Sequence, residues 1–95
     1  MGLLFAWDPR KATSNQRKHG VSFLEAATVF GAPLGEIIDD PDHSIVEARF
    51  VIMGLSERFR ILIVVFTDEH EAIRIISARE ATIRERREYE ERQRH

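Results

Sequence analysis

Apolar and polar positions change rhythm twice along this chain. Phe23, Ala26, Ala27 and Phe30 recur at i, i+3, i+4 and i+7, the spacing of a helix that buries one face. Ser22 and Glu25 spell a capping box ahead of it. Gly31 and Pro33 stop it. Upstream, Leu3 to Trp7 is short and apolar and reads as a strand. Asp8 and Pro9 then open a first helix, Pro9–Lys18, with Asp as N-cap and Pro at the first helical position. Trp7 is expected to pack back on Ala12 as a staple. Gly20 ends this helix, and its scarcity of apolar residues predicts a surface position.

From residue 36 the period is that of strands. Glu36–Asp40 is the first, and Pro41 to Ser44 a turn. Val46–Ser56 alternates, with Val46, Ala48, Phe50 and Ile52 on one side and Glu47, Arg49, Val51 and Met53 on the other. Glu57–Phe59 is a tight connection. Arg60–Thr67 is apolar on both faces, as a central strand is. Asp68–Glu71 turns again, and Ala72–Ser77 is the last strand. Short connections imply an antiparallel meander. Ser77 and Glu80 form a second capping box, which predicts a C-terminal helix running to about Arg94. That helix has few apolar residues. It can form six opposite-charge i,i+4 pairs, 80/84, 84/88, 86/90, 87/91, 88/92 and 90/94, each worth about 0.2–0.5 kcal/mol. The string is β-α-α-β-β-β-β-α, an α+β fold in one domain spanning residues 1–95.

Composition narrows the classes of function. The chain is 43% hydrophobic and 32% charged, as a globular domain is. With no Cys it has no disulfide frame and suits a reducing cytoplasm. The longest apolar run, Ile61 to Phe66, is far short of the ~20 residues of a membrane span. The start, Met1 to Phe5, carries no basic leader, so no signal peptide is expected. Net charge is −2, but residues 1–20 carry +3, residues 21–72 carry −7 and residues 73–95 carry +2. Two basic ends flank an acidic middle and could share one face. Twelve of the 14 basic residues are Arg, whose planar fork suits phosphates and carboxylates.

No metal or cofactor is expected. His19, His43, His70 and His95 lie in separate turns or ends, and Asp39, Asp40, Asp42 and His43 read as a solvated turn. The serines read as caps and turn residues, and no glycine-rich phosphate loop follows a strand. Basic chemistry remains. Arg49 and Arg74 are expected on near-adjacent strands, Arg79 in the first turn of the last helix, and Lys18 and His19 in a turn at the sheet edge. Such a set could cleave RNA without metal. A base takes the 2′-OH proton, that oxygen attacks the adjacent phosphate, and Arg residues hold the developing charge. His19 is the near-neutral titrating group of the set. Structural roles compete with these: pairing of Arg74 and Arg79 with Glu47, Glu71 or Glu80, and helix capping by His19.

Trp7-Asp8-Pro9, Lys18-His19-Gly20-Val21-Ser22-Phe23, Ala26 and Phe30 resemble the N-terminal half of the BrnT toxin family. Arg74-Ile75-Ile76-Ser77-Ala78-Arg79, Ala81 and Glu85-Arg86-Arg87-Glu88-Tyr89-Glu90 resemble its C-terminal half. The resemblance covers Phe5 to Glu91 and departs at Ala6, where relatives carry an acid. It implies a RelE-like fold and a cytoplasmic type II toxin that cuts RNA and stops translation. The implied partner is a BrnA-like ribbon-helix-helix antitoxin, through which alone the pair would touch operator DNA. It implies functional roles among Lys18, His19, Arg49, Arg74 and Arg79; His19, Arg49, Arg74 and Arg79 are expected to be catalytic, and Lys18, Arg58 and Arg60 to bind substrate. The alternative is a non-catalytic module that docks a DNA-binding partner. Direct DNA binding is the weakest reading, because Glu residues neutralise most basic residues of the last helix.

Overall fold

The computed structural model describes residues 3–31, 36–39 (backbone only) and 49–94. Strand β1 (Phe5–Ala6) leads into α1 (Pro9–His19), then α2 (Phe23–Thr28), which a 3-10 turn at Val29–Gly31 extends. Strands β2 (Glu36–Asp39), β3 (Phe50–Leu55), β4 (Ile61–Glu69) and β5 (Ala72–Glu80) follow, and α3 (Ile83–Arg92) closes the chain. This is the α+β order that the hydrophobic rhythm predicts. The spatial order is β1-β5-β4-β3-β2, antiparallel throughout except for β1, which pairs parallel to β5. The turn expected at Pro41–Ser44, with the Asp40–His43 cluster, and the start of the Val46–Ser56 strand lie outside the described residues.

Period-two alternation divides the sheet into two faces. Ile52, Leu62, Val64, Phe66, Ile75 and Ala78 point to the helices, where Val21, Phe23, Ala26 and Val29 meet them. Each of the larger of these side chains, the two alanines aside, contributes about 1.5–3 kcal/mol by leaving water. Aromatic edges lock this layer: Phe30 meets Phe66 at 4.9 Å and Phe5 at 5.3 Å. Trp7 stands edge-on to Phe23 at 5.9 Å, and Trp7 and Ala12 both pack against this layer. The other face carries Val51, Met53, Ile61, Ile63 and Val65 beside Thr67 and Arg79. A bulge between Val65 and Phe66 shifts the β4–β5 register there.

Helix α1 lies on the surface, as its polarity predicts, yet one polar residue anchors it. Asn15 is buried. Its amide donates to Ala78 O (2.8 Å) and Val21 O (3.0 Å), and its oxygen accepts from Ala78 N (3.1 Å). Strand β1 pairs only with Ile73 and Arg74. The carboxamide therefore continues the ladder where β1 has ended, and satisfies an edge that would otherwise be open.

The last helix starts later than expected. Ser77 does not cap it; β5 runs to Glu80, with Leu62 opposite Glu80 and Ile63 opposite Arg79. The cap is Thr82, whose hydroxyl accepts from Glu85 N (3.1 Å), while Glu85 Oε1 accepts from Thr82 N (2.9 Å). Both T-x-x-E and S-x-x-E fit the local pattern. Pairing with a nine-residue β4 decides between them by keeping Ser77 to Glu80 extended. Arg79 is thus a strand residue, and the 80/84 pair is not a helical one. The pairs 84/88 and 86/90 form at 3.4 and 3.6 Å.

Candidate functional site

The candidate residues gather in two places. The first is the rim where α1 ends and β4 begins. Lys18 and His19 occupy the last turn of α1 and are exposed. The positive charge of Lys18 suits the negative end of the helix dipole. Gly20 caps the helix at φ +68, the left-handed conformation a terminating residue needs and glycine adopts freely. Its carbonyl accepts from Arg60 Nη2 at 3.2 Å. Arg60 thereby ties the segment beside His19 to the start of β4.

Arg60 is more than a surface cation. Its guanidinium grips Glu25 of α2 with both Nε (3.0 Å to Oε2) and Nη2 (to Oε1) and lies 3.6 Å from Glu80. Glu25 is only 3% exposed, so the acid expected to close the Ser22 capping box turns inward instead. Ser56 donates to the same carboxylate at 2.7 Å. The Arg60 hydrogen bonds hold Glu25 below the usual carboxylate range and outweigh the opposing effect of burial. The same pairing raises Arg60. Arg58 sits in the exposed turn before it.

The second place is the sheet face opposite α1 and α2. Arg79 projects there from β5 and makes a fork-to-fork pair with Glu85, Nη1 to Oε1 at 2.7 Å and Nη2 to Oε2 at 2.8 Å. This pair fastens α3 to the sheet. It holds Glu85 well below its ordinary value, at about 2, and raises Arg79. Arg49 immediately precedes β3 on the same face by alternation. Arg74 pairs in register with Thr67 of the intervening strand, so the two arginines stand two strands apart, roughly 10 Å. Arg74 and Arg79 are five residues apart on β5, roughly 16 Å. Ala6 is the register partner of Arg74, so an acid at that position would adjoin it; here Arg74 is exposed.

The structure therefore brings Lys18, His19 and Arg60 to one rim, with Arg58 in the adjoining turn. Arg79 lies near that end of the sheet on the other face. Arg49 and Arg74 lie toward the opposite end. Sequence reasoning missed Asn15, Ser56 and the inward turn of Glu25, all of which act through partners distant in the chain. Glu85 carried a signal, the Thr82-x-x-Glu85 spacing, that was hidden behind the earlier box. Among the described residues no three His, Asp or Glu side chains are placed to share a metal ion, and no helix is long and apolar enough to cross a membrane.

A family model described as the ribonuclease toxin BrnT of type II toxin–antitoxin systems matches residues 7–85. The chain belongs to the BrnT family. Membership implies RNA as substrate and a protein antitoxin as partner. All seven candidate residues fall inside the matched span. Among solved structures, the Brucella abortus ribonuclease toxin BrnT is similar with a TM-score of 0.67 and 21% identity, covering 85% of this chain and 99% of that one. At that identity the likeness concerns the fold. No match was found among curated proteins.

Proposed function

We propose that this BrnT-family chain is a metal-independent endoribonuclease that arrests translation and is silenced by a BrnA-like ribbon-helix-helix antitoxin, with operator DNA reached only through that partner. The observation that carries the reading is the family match over residues 7–85. The cationic rim gives it a chemistry. His19 removes the 2′-OH proton of the substrate; the freed oxygen attacks the adjacent phosphate, and the P–O5′ bond breaks as the 5′-oxygen takes a proton from solvent. The products are a 2′,3′-cyclic phosphate and a 5′-hydroxyl. Lys18 and Arg58, both exposed, draw in the phosphate backbone. Arg79, on the other face of the sheet and held by Glu85, forms with Arg49 and Arg74 a track for flanking phosphates rather than for the scissile one. Arg60 acts through Glu25 and Gly20 as a positioning residue as well as a charge.

Inducible expression without a partner tests the reading. Wild type is expected to arrest growth, and Arg74→Ala/Arg79→Ala to lose the arrest while staying folded. Arg79→Lys is expected to lose most activity, since one ammonium does not replace a two-pronged contact. Antitoxin binding with no effect on growth would instead favour the non-catalytic docking module.

A further inference from the structure

The hairpin between β3 and β4 displays a ring that the fold does not use. Phe59 is 83% exposed and sits at φ +62. Among the described residues it is the one non-glycine with positive φ. That region disfavours any side chain with a Cβ, bulky ones most, and Gly or Asn is usual there. The position thus combines an apolar ring in water with a disfavoured backbone. Such an outlier directs attention to function.

The tip is rigidly built. Phe59 N donates to Ser56 O (2.9 Å) and Ser56 N to Arg60 O (2.8 Å). The Ser56 hydroxyl accepts from Arg58 N (3.2 Å) and Arg60 N (3.4 Å) while donating to Glu25. Glu57 N donates to Thr28 Oγ1 (3.0 Å), which seats the tip on the end of α2. These bonds fix the backbone that carries Phe59, between Arg58, which is exposed, and Arg60, whose guanidinium reaches Gly20 beside His19.

We infer that Phe59 is a stacking platform for an unpaired base of single-stranded RNA, placed beside the cationic rim; this rests on the ribonuclease reading. An aromatic face interleaved with cations is how proteins hold single strands: the ring takes the base and the cations take the phosphates. The ring's neighbours along the tip, Glu57, Arg58 and Arg60, are charged, and the hairpin's other exposed apolar side chain is Leu55 at the end of β3, 41% exposed. A nucleobase needs one ring face, whereas a protein partner would need a wider apolar patch. Arg60 already serves Glu25 and Glu80, so the exposed Arg58 is the tip's cation for a phosphate.

Binding of a short mixed-sequence 2′-O-methyl RNA strand, which lacks the nucleophile and is not cut, tests this by fluorescence anisotropy. Phe59→Ala is expected to weaken binding about tenfold, Phe59→Trp to retain it, and Phe59→Leu to behave like Ala. An abasic site walked along the strand should reach one position where wild type weakens and Phe59→Ala weakens no further. Thermal melts of the variants, expected to match wild type, separate stacking from unfolding. Equal binding by Phe59→Ala and wild type, or full rescue by Leu, overturns the stacking role while leaving ribonuclease activity intact. Loss of antitoxin affinity in Phe59→Ala with RNA binding unchanged also overturns it and assigns the ring to the protein interface. A wild type that neither binds nor cuts RNA removes this inference and the ribonuclease reading together.

Discussion

Arg79 and Glu85 are joined by two parallel hydrogen bonds, 2.7 and 2.8 Å long. The same Glu85 carboxylate accepts from Thr82 N and completes the cap of α3. One side chain thus starts the helix and fastens it to β5. The carboxylate also occupies the fork that a phosphate would take, since the guanidinium fits either oxyanion. On the proposed reading, RNA binding at Arg79 competes with the attachment of α3.

Acid should loosen that attachment. Glu85 is depressed to about 2 from an unfolded value of 4.5. A depressed carboxylate stabilises the fold above its unfolded value, and the contribution disappears as pH falls from about 4.5 toward 2. Arg79 is 41% exposed, so solvent screening leaves about 1 kcal/mol of the effect. Urea midpoints across that window should fall for wild type. They should fall less steeply for Glu85→Gln, which keeps Glu25, the other depressed carboxylate among the described residues, as an internal reference. Equal slopes would contradict the assignment.

Arg60→Ala is expected to act mainly through stability. It strands a carboxylate that is 3% exposed, and breaking such a pair costs on the order of 3 kcal/mol. Arg60→Ala/Glu25→Leu should recover part of that loss, because neither charge is then left alone. Denaturant melts of the single and double variants check this. A single variant as stable as wild type would show that Arg60 is not structural.

Asn15→Ala should cost about 2–3 kcal/mol, since it leaves the Ala78 N–H and C=O without their partner in a buried setting. Amide exchange at Ala78 should accelerate with it. An unchanged melting temperature would mean that water replaces the carboxamide.

Thr82→Ala should weaken α3 by about 1 kcal/mol, and Ser77→Ala should leave its helicity unchanged. Circular dichroism of the two variants distinguishes a cap at Thr82 from one at Ser77.

The strands were legible because alternation survives in them: Phe50 and Ile52 face the core while Val51 and Met53 do not. Helix α2 was legible from four apolar positions. The start of α3 was not, because Ser77-x-x-Glu80 and Thr82-x-x-Glu85 are equal locally and only β4 separates them. Asn15 was invisible for the same reason: its partner Ala78 lies 63 residues away. At the site, residue types could be nominated from sequence, but not their distribution. Nothing local reveals that Arg60 turns to Glu25, that Arg79 turns to Glu85, or that alternation puts Arg79 on the face away from α1 and α2.

Incubation of purified protein with RNA in EDTA, with product ends analysed, bears most directly on the proposed chemistry. Wild type should yield 5′-hydroxyl and 2′,3′-cyclic phosphate ends, and a folded His19→Ala should cut at least about a hundredfold more slowly. RNA left intact by wild type, with and without ribosomes, would contradict it.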